Sequence, residues 1–256
     1  MNRDYLLIPE WEHLNESTAL ADTFHAAFEY NDFARPTVYE NPDEVRKRIE
    51  KYCSLERDRS KDTMHGAFLD VVWSSQDSVI RERGCQLVKM SLETALKLGV
   101  RGVVFHTGLI GRLEIKSYLN DWLDQSDSFW HRMMEQYPGV KIYMENTFER
   151  TPAMLIALKK RMADMVDFEL CLDYGHAILS GTPIDTWVHN ISPYVGHIHL
   201  NDNDTINDLH MVPGDGKIDF QHCKENLEKY LKNIPTLLEL NGLDNQRRAL
   251  IYMNQL

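Results

Sequence analysis

The stretch from His197 to Gly216, HIHLNDNDTINDLHMVPGDG, places three histidines and four aspartates in twenty residues and ends on a glycine turn. A loop that only has to be wet has no need of histidine. Imidazole and carboxylate together are the donor set of a Zn²⁺ or Mn²⁺ site. Similar residues recur at the ends of short apolar runs: His65, His106, Glu145, Asp173 with His176 three residues on, His199 followed by Asp208 and His210, and Glu239. One such residue means little, because a lone histidine on an apolar strand is usually a hydrogen-bonded core residue. Charged groups flanked by IYM or LLEL, however, are costly to bury without a partner. If several converge on one rim, a divalent ion is the simplest partner.

Convergence needs a fold that gathers many strand ends, and the elements read from the sequence supply one. Strands are predicted at YLLIP (from Tyr5), AFEYND (Ala27), MHGAFL (Met64), GVVFHT (Gly102), VKIYMEN (Val140), FELCLDY (Phe168), VGHIHLND (Val195) and PTLLELN (Pro235). Helical periodicity lies between them, most clearly in DSVIRERGCQLVKMSLETALKLG with Gly99 as its stop. NPDEVRKRIEKYC, RTPAMLIALKKRMAD, IDTWVHNI and FQHCKENLEKYLKNI follow the same period. Strand and helix alternating about eight times, with no linker tract, describe an α/β fold. It is read as a single (β/α)8 TIM barrel, one domain over residues 1–256. A doubly wound sheet would more often carry a glycine-rich first turn, and neither GxGxxG nor a Walker sequence is present.

In such a barrel the carboxyl ends of all strands point to one face. The third strand then delivers His65, the fourth His106, the fifth Glu145, the sixth Asp173 with His176 just beyond. The seventh delivers His199 and, in its loop, Asp208 and His210; the eighth delivers Glu239. His197 points the same way as His199 but one layer deeper, so it reads as a supporting or packing residue. His13, His25, His131, His189 and His222 read as surface residues. Trp73, Tyr143 and Tyr174 could stack on a ligand ring, with barrel packing the commoner reason for an aromatic there. FEYNDFARP is a further candidate lining loop, with Glu29 and Asn31 offering polar contacts. PGDG reads as the turn before a helix beginning at Phe220.

Composition narrows the partners. The 256 residues are 43% hydrophobic and 26% charged, with a net charge of -11 and a sequence pI near 5.4. That total weighs against duplex DNA without forbidding it, because phosphate neutralisation drives most nucleic-acid affinity. The densest basic run, KKRMAD at Lys159–Asp164, reads as a helix face. No apolar run is long enough to span a membrane, and the opening residues do not make a signal peptide. Four cysteines with no CxxC pair read as reduced thiols, so a cytoplasmic protein is expected. A homo-oligomer is compatible with the sequence.

HGAFLDV, VVFHTG, YMENT, LDYGHAILSG, HIHLND, DLH with PGDGKIDF, and LLEL stand in the order seen in the xylose isomerase-like TIM-barrel superfamily. The chain resembles that superfamily over roughly residues 5–241. It holds the sugar-phosphate isomerases and epimerases and also the endonuclease-four type of apurinic/apyrimidinic endonuclease (family 2). The resemblance implies a core metal set at Glu145, Asp173, His199 and Glu239. In the endonuclease branch it implies a second ion on His65 and His106, bridged by Glu145, and a third on His176, Asp208 and His210. All nine positions are filled. There are departures on both sides. The epimerases carry a glutamate where this chain has Thr151, and an arginine in the loop that here runs Asn201 to His210 without one. The DNA enzymes add basic, intercalating loops that this short, acidic chain lacks.

Two expectations follow from the resemblance. The first is a hydrolase with up to three zinc ions acting on a phosphoester smaller than duplex DNA. The second is an isomerase or epimerase on a sugar or sugar phosphate. It would use one ion, Glu145 and Glu239 as the acid/base pair, and His176 on a substrate hydroxyl. Aspartates near the mouth (Asp202, Asp204, Asp208) would repel a phosphate unless metal neutralises them. A metal-binding scaffold without catalysis is the third reading.

Overall fold

The computed structural model describes residues 3–110 and 113–256; Met1 and Asn2 of the expected domain, and Gly111 and Arg112, lie outside it. Eight parallel strands close into a barrel in sequence order, β1-β2-β3-β4-β5-β6-β7-β8, with β8 returning to pair β1. The (β/α)8 reading is therefore correct. In chain order the elements are β1 (Tyr5–Leu7), α1 (Leu14–Phe24), β2 (Ala27–Tyr30), α2 (Pro42–Cys53), β3 (Thr63–His65) and α3 (Ser78–Leu98). β4 (Gly102–His106), α4 (Lys116–Gln136), β5 (Lys141–Glu145), α5 (Ala153–Arg161), β6 (Phe168–Asp173) and α6 (Tyr174–Leu179) follow. The chain closes with α7 (Ile184–Ile191), β7 (Val195–Leu200), α8 (Phe220–Tyr230), β8 (Thr236–Leu238) and α9 (Leu243–Gln255).

Local chemistry sets the helix ends. Asp77 caps α3 by accepting from Val79 N and Ile80 N, and Gly99 ends it in the left-handed region at φ 70. Asn41 and Pro42 open α2, and Asp219 opens α8 at the expected Phe220. α1, α4, α6 and α9 lie outside the periodic stretches read from sequence. α4 shows why: its buried face is Trp122, Ser126, Phe129, Trp130 and Met133, so a serine interrupts the apolar stripe. Ser126 is buried because its hydroxyl accepts from Trp73 Nε1 at 3.1 Å.

Strand alternation sorts the side chains into two compartments. Val103, Phe105, Ile142, Met144, Leu170, Leu172, Ile198 and Leu200 pack outward in the main core beneath the helices. Val104, Tyr143 and Cys171, at alternate positions, form a separate cluster in the barrel interior. Continuing inward at two-residue steps toward the carboxyl ends gives His106, Glu145 and Asp173. The same alternation aims Thr63 and His65, and His197 and His199, into the barrel. The interior thus combines the apolar cluster of Val104, Tyr143 and Cys171 with buried polar side chains beside it and ionisable ones above it. No helix among the described residues is long and apolar enough to cross a membrane, and all four cysteines are free.

Candidate metal centre

All nine predicted residues come together at the carboxyl end of the barrel, in three groups. Glu145, Asp173, His199 and Glu239 form one; His65, His106 and Glu145 a second; His176, Asp208 and His210 a third. Within each group the donor atoms lie inside 4.8 Å of one another. Glu145 belongs to two groups because its oxygens face opposite ways. Oε2 lies 3.4 Å from His65 Nε2 and 3.2 Å from His106 Nε2. Oε1 lies 3.1 Å from His199 Nδ1. Glu239 Oε2 reaches the same Nδ1 at 3.5 Å. Asp208 Oδ2 stands 3.2 Å from Nε2 of both His176 and His210. Ligands on one tetrahedral zinc, at about 2.0–2.1 Å from it, lie about 3.3 Å apart, so these spacings match ligands of a shared ion.

Tautomers strengthen the fit. His65 Nδ1 lies 2.8 Å from Gly66 O, His176 Nδ1 2.9 Å from Asn146 O, and His210 Nδ1 3.1 Å from Glu239 O. A carbonyl oxygen only accepts, so each Nδ1 carries the proton and each neutral ring turns its Nε2 lone pair toward a carboxylate. Two lone pairs facing at about 3.2 Å repel unless a proton or a cation lies between them. Glu145 Oε2, Asp173 Oδ2 and Glu239 Oε2 are moreover buried with no hydrogen-bond partner. Burying three such oxygens unpaired is expensive, and a cation relieves all three.

Without ions, protons carry that load. Burial opposes charging His199, but Glu145, Glu29 and Glu239 around it raise its pKa well above the imidazole range. Burial likewise opposes His176, and Asp173 and Asp208 outweigh it. His210 is held at about 10, Asp208 and Glu239 overriding burial. Burial would raise Glu145, yet His199 and His106 keep it well below the usual carboxylate range. Asp173 is pushed up to about 7 by burial, and the charges of Glu239 and Glu145 add to the effect. Burial takes His106 below the usual imidazole value against the opposing charge of Glu145.

The short motifs have mechanical explanations. In LDYGH, Asp173 caps α6 by accepting from His176 N at 2.6 Å, which sets its free Oδ2 and the His176 ring on one face. Gly175 is required there, since a Cβ would lie 2.6 Å from Asn201 Oδ1. Asn146 ties β5 to β6 through two hydrogen bonds with the Asp173 backbone, both 2.9 Å, and its carbonyl holds His176. His210 sits in the left-handed region at φ 47, an unusual conformation for a non-glycine residue and the kind found at functional sites.

Some expectations need correction. Glu29 does not line a rim loop; it is fully buried inside the barrel on β2. Its Oε2 accepts from Thr63 at 2.6 Å and meets His197 Nε2 at 2.9 Å, and its Oε1 faces His199 Nε2 at 3.1 Å. His197 is the supporting residue expected. Trp73, Tyr143 and Tyr174 are packing residues, each 3% exposed or less. Asp202 and Asp204 do not charge the mouth. Asp202 is buried and accepts from four backbone N–H groups, those of Asn203, Gly214, Gly216 and Ile218. Asp204 caps a local turn through Ile206 N and Asn207 N. Thr151 is exposed, and the carboxylate nearest it in sequence, Glu149, is buried against Thr107 and Thr147 N. His13, His25 and His189 are exposed as expected. His131 and His222 are partly buried in ion pairs with Asp164 and Asp185.

The three groups open into one cavity of about 430 Å³, whose lining includes His65, His106, Glu145, His176, Asp208, His210, Glu239 and Asn31. Phe68, Leu69, Val71, Val72, Leu109 and Phe148 also line it. Phe68 packs on the His106 ring at 4.6 Å between centroids. No pattern in the sequence singles out these aromatic and aliphatic lining residues.

The model of the family described as xylose isomerase-like TIM barrel matches residues 19–255 of this chain. Among solved structures, a D-tagatose 3-epimerase-like protein superposes with a TM-score of 0.74 at 23% identity, covering 98% of each chain. The TTHB071 protein of Thermus thermophilus, soaked with ZnCl2, gives 0.78 at 22% identity, covering 100% of this chain and 97% of that one. Endonuclease IV of Thermus thermophilus gives 0.65 at 20% identity, covering 98% and 97%.

Proposed function

The chain belongs to the xylose isomerase-like TIM-barrel family, and from that premise we propose a metal-dependent hydrolase of a phosphoester smaller than duplex DNA. The observation that carries this reading is the gathering of nine side chains into three donor groups, two of which share Glu145. A single-ion enzyme needs one group; it has no use for two more in which three of the four imidazoles, His65, His176 and His210, already have their tautomers fixed. The two outer groups each offer two nitrogens and one oxygen, the donor set of open-sided zinc sites. The inner group, richer in oxygen, suits zinc or manganese.

Divalent ions held by these three groups would supply Lewis acidity toward a phosphoryl oxygen and would lower the pKa of water at the site. The protein's own part is to position. Glu145 spans two groups, Asp173 and Glu239 close the inner one, and Asn146 locks the β5 and β6 ends that carry Glu145 and Asp173. Charge supports the reading. Glu145, Asp173, Asp208 and Glu239 against three divalent ions leave the site cationic by two charges, fit for an anionic ester. Against one ion they leave it anionic by two.

The test is ions per chain, by elemental analysis of protein purified without chelator. Three are expected, with His65→Ala and Asp208→Ala each lowering the count by one. One ion or fewer, indifferent to both substitutions, would sink the hydrolase. That result would favour a second reading, sugar epimerisation with Glu145 and Glu239 as acid and base. Its supporting observation is that both carboxylates flank His199 Nδ1, at 3.1 and 3.5 Å. Solvent deuterium exchanged into a ketose would support it directly.

A further inference from the structure

The cavity lining is of two kinds, and the donor residues are only one of them. The other is apolar: Phe68, Leu69, Val71, Leu109 and Phe148, contributed by the loops after β3, β4 and β5. Two of these side chains are displayed rather than packed: Phe148 is 73% exposed and Leu69 52%. A large apolar side chain held open at the mouth of a polar cavity gives up burial that a ligand can restore. Among the described residues no lysine or arginine lines the cavity, and Asp70 adds a further carboxylate to the lining.

This asymmetry describes a ligand with one anionic end and one apolar end. Among the described lining residues a second phosphoryl group would meet the Asp70 carboxylate and no lysine or arginine, and a polyhydroxylated chain would find few hydrogen-bonding side chains among Phe68, Leu69, Val71, Leu109 and Phe148. We propose that the organic group of the substrate is a flat, uncharged, largely apolar ring seated between Phe148 and Leu69, and that the substrate carries a single phosphoryl group. This rests on the phosphoester reading above and narrows it to aryl-like monophosphoryl esters, with Phe148 and Leu69 as specificity determinants.

Binding rather than turnover tests it, using titration calorimetry on the zinc-loaded protein with phenylphosphonate and methylphosphonate. Both carry the same anionic head; only the ring differs. Phenylphosphonate is expected to bind about tenfold more tightly, the effect of covering roughly one face of a ring with apolar surface. The double variant Phe148→Ala, Leu69→Ala should erase most of that advantage and leave methylphosphonate unchanged. Both side chains are exposed, so their removal leaves the fold intact. Equal affinities in the native protein, or a ring advantage that survives the double variant, overturn the proposal and spare the phosphoester reading. Failure of both phosphonates to bind the loaded protein overturns both.

Discussion

Removing the carboxylate of Asp202 should cost both stability and the outermost ion. Oδ1 accepts from Asn203 N at 2.8 Å and Ile218 N at 3.1 Å, and Oδ2 accepts from Gly214 N and Gly216 N, both at 2.9 Å. The Asp202 backbone also pairs with Met211 in both directions at 2.8 Å. One side chain therefore pins both ends of the loop that presents Asp208 and His210. In Asp202→Ala four N–H groups lose a charged acceptor. At about 1–3 kcal/mol for each unsatisfied group the gross loss is large, but water entering the vacated space recovers part of it. A net cost of about 3–5 kcal/mol, or a fall in Tm of roughly 10 °C, is expected. Asp202→Asn is the sharper test. Its amide oxygen serves one pair of donors while its NH2 opposes the other pair, so near-isosteric replacement should be almost as damaging as alanine. Thermal denaturation with elemental analysis reads both effects. If Asp202→Asn keeps the native Tm and full ion complement, the loop is held by something else and the four hydrogen bonds are not its anchor.

Two further outcomes follow from the same site. Glu29→Gln replaces the carboxylate that faces His199 Nε2 at 3.1 Å; zinc affinity should fall about 10–100-fold in chelator competition, with secondary structure unchanged by circular dichroism. In ion-free protein His210 has its pKa raised from 6.5 to about 10. Its pairing with Asp208 therefore stabilises the fold fully below about pH 6.5 and is lost as pH rises through 10. An ion must displace that proton, so zinc affinity should climb across the same window, measured by chelator competition at fixed ionic strength.

Much of this is legible in the sequence because strands have a two-residue period. GVVFH, KIYME, FELCLD and VGHIHL each put apolar residues on the helix-facing side and carry an ionisable residue on the other, so the barrel and its nine converging residues can be read together. The same rule, applied to β2, finds Glu29, which alternates with Phe28 and Tyr30 just as Glu145 alternates with Met144. AFEYND does not mark where β2 ends, however, and Glu29 passes for part of a loop. Loop geometry has no such period. Nothing in HLNDNDTINDLH distinguishes Asp202, which faces inward to backbone donors, from Asp208, which faces the cavity. Only the contact with Gly216, too close for a Cβ, explains the pairing with PGDG. The apolar wall is hidden for the same reason: Phe148 in ENTFER could point anywhere.

Glu29 also explains an irregularity in how the donor histidines are presented. His65, His176 and His210 turn Nε2 to their groups and bond Nδ1 to a carbonyl. His199 does the reverse: Nδ1 meets Glu145 and Glu239, and Nε2 turns down to Glu29. It is fully buried in β7, and the inward face of a strand offers its ring no free carbonyl, because strand carbonyls are used in the ladder. A carboxylate one layer below is the available acceptor. Thr63 donates to Glu29 at 2.6 Å and His197 meets it at 2.9 Å, so that carboxylate is itself fixed in orientation. Its charge keeps the proton on Nε2 and leaves the Nδ1 lone pair for the inner group. The buried layer beneath the ligands therefore does more than pack: it sets the tautomer of the one histidine that the inner group contains.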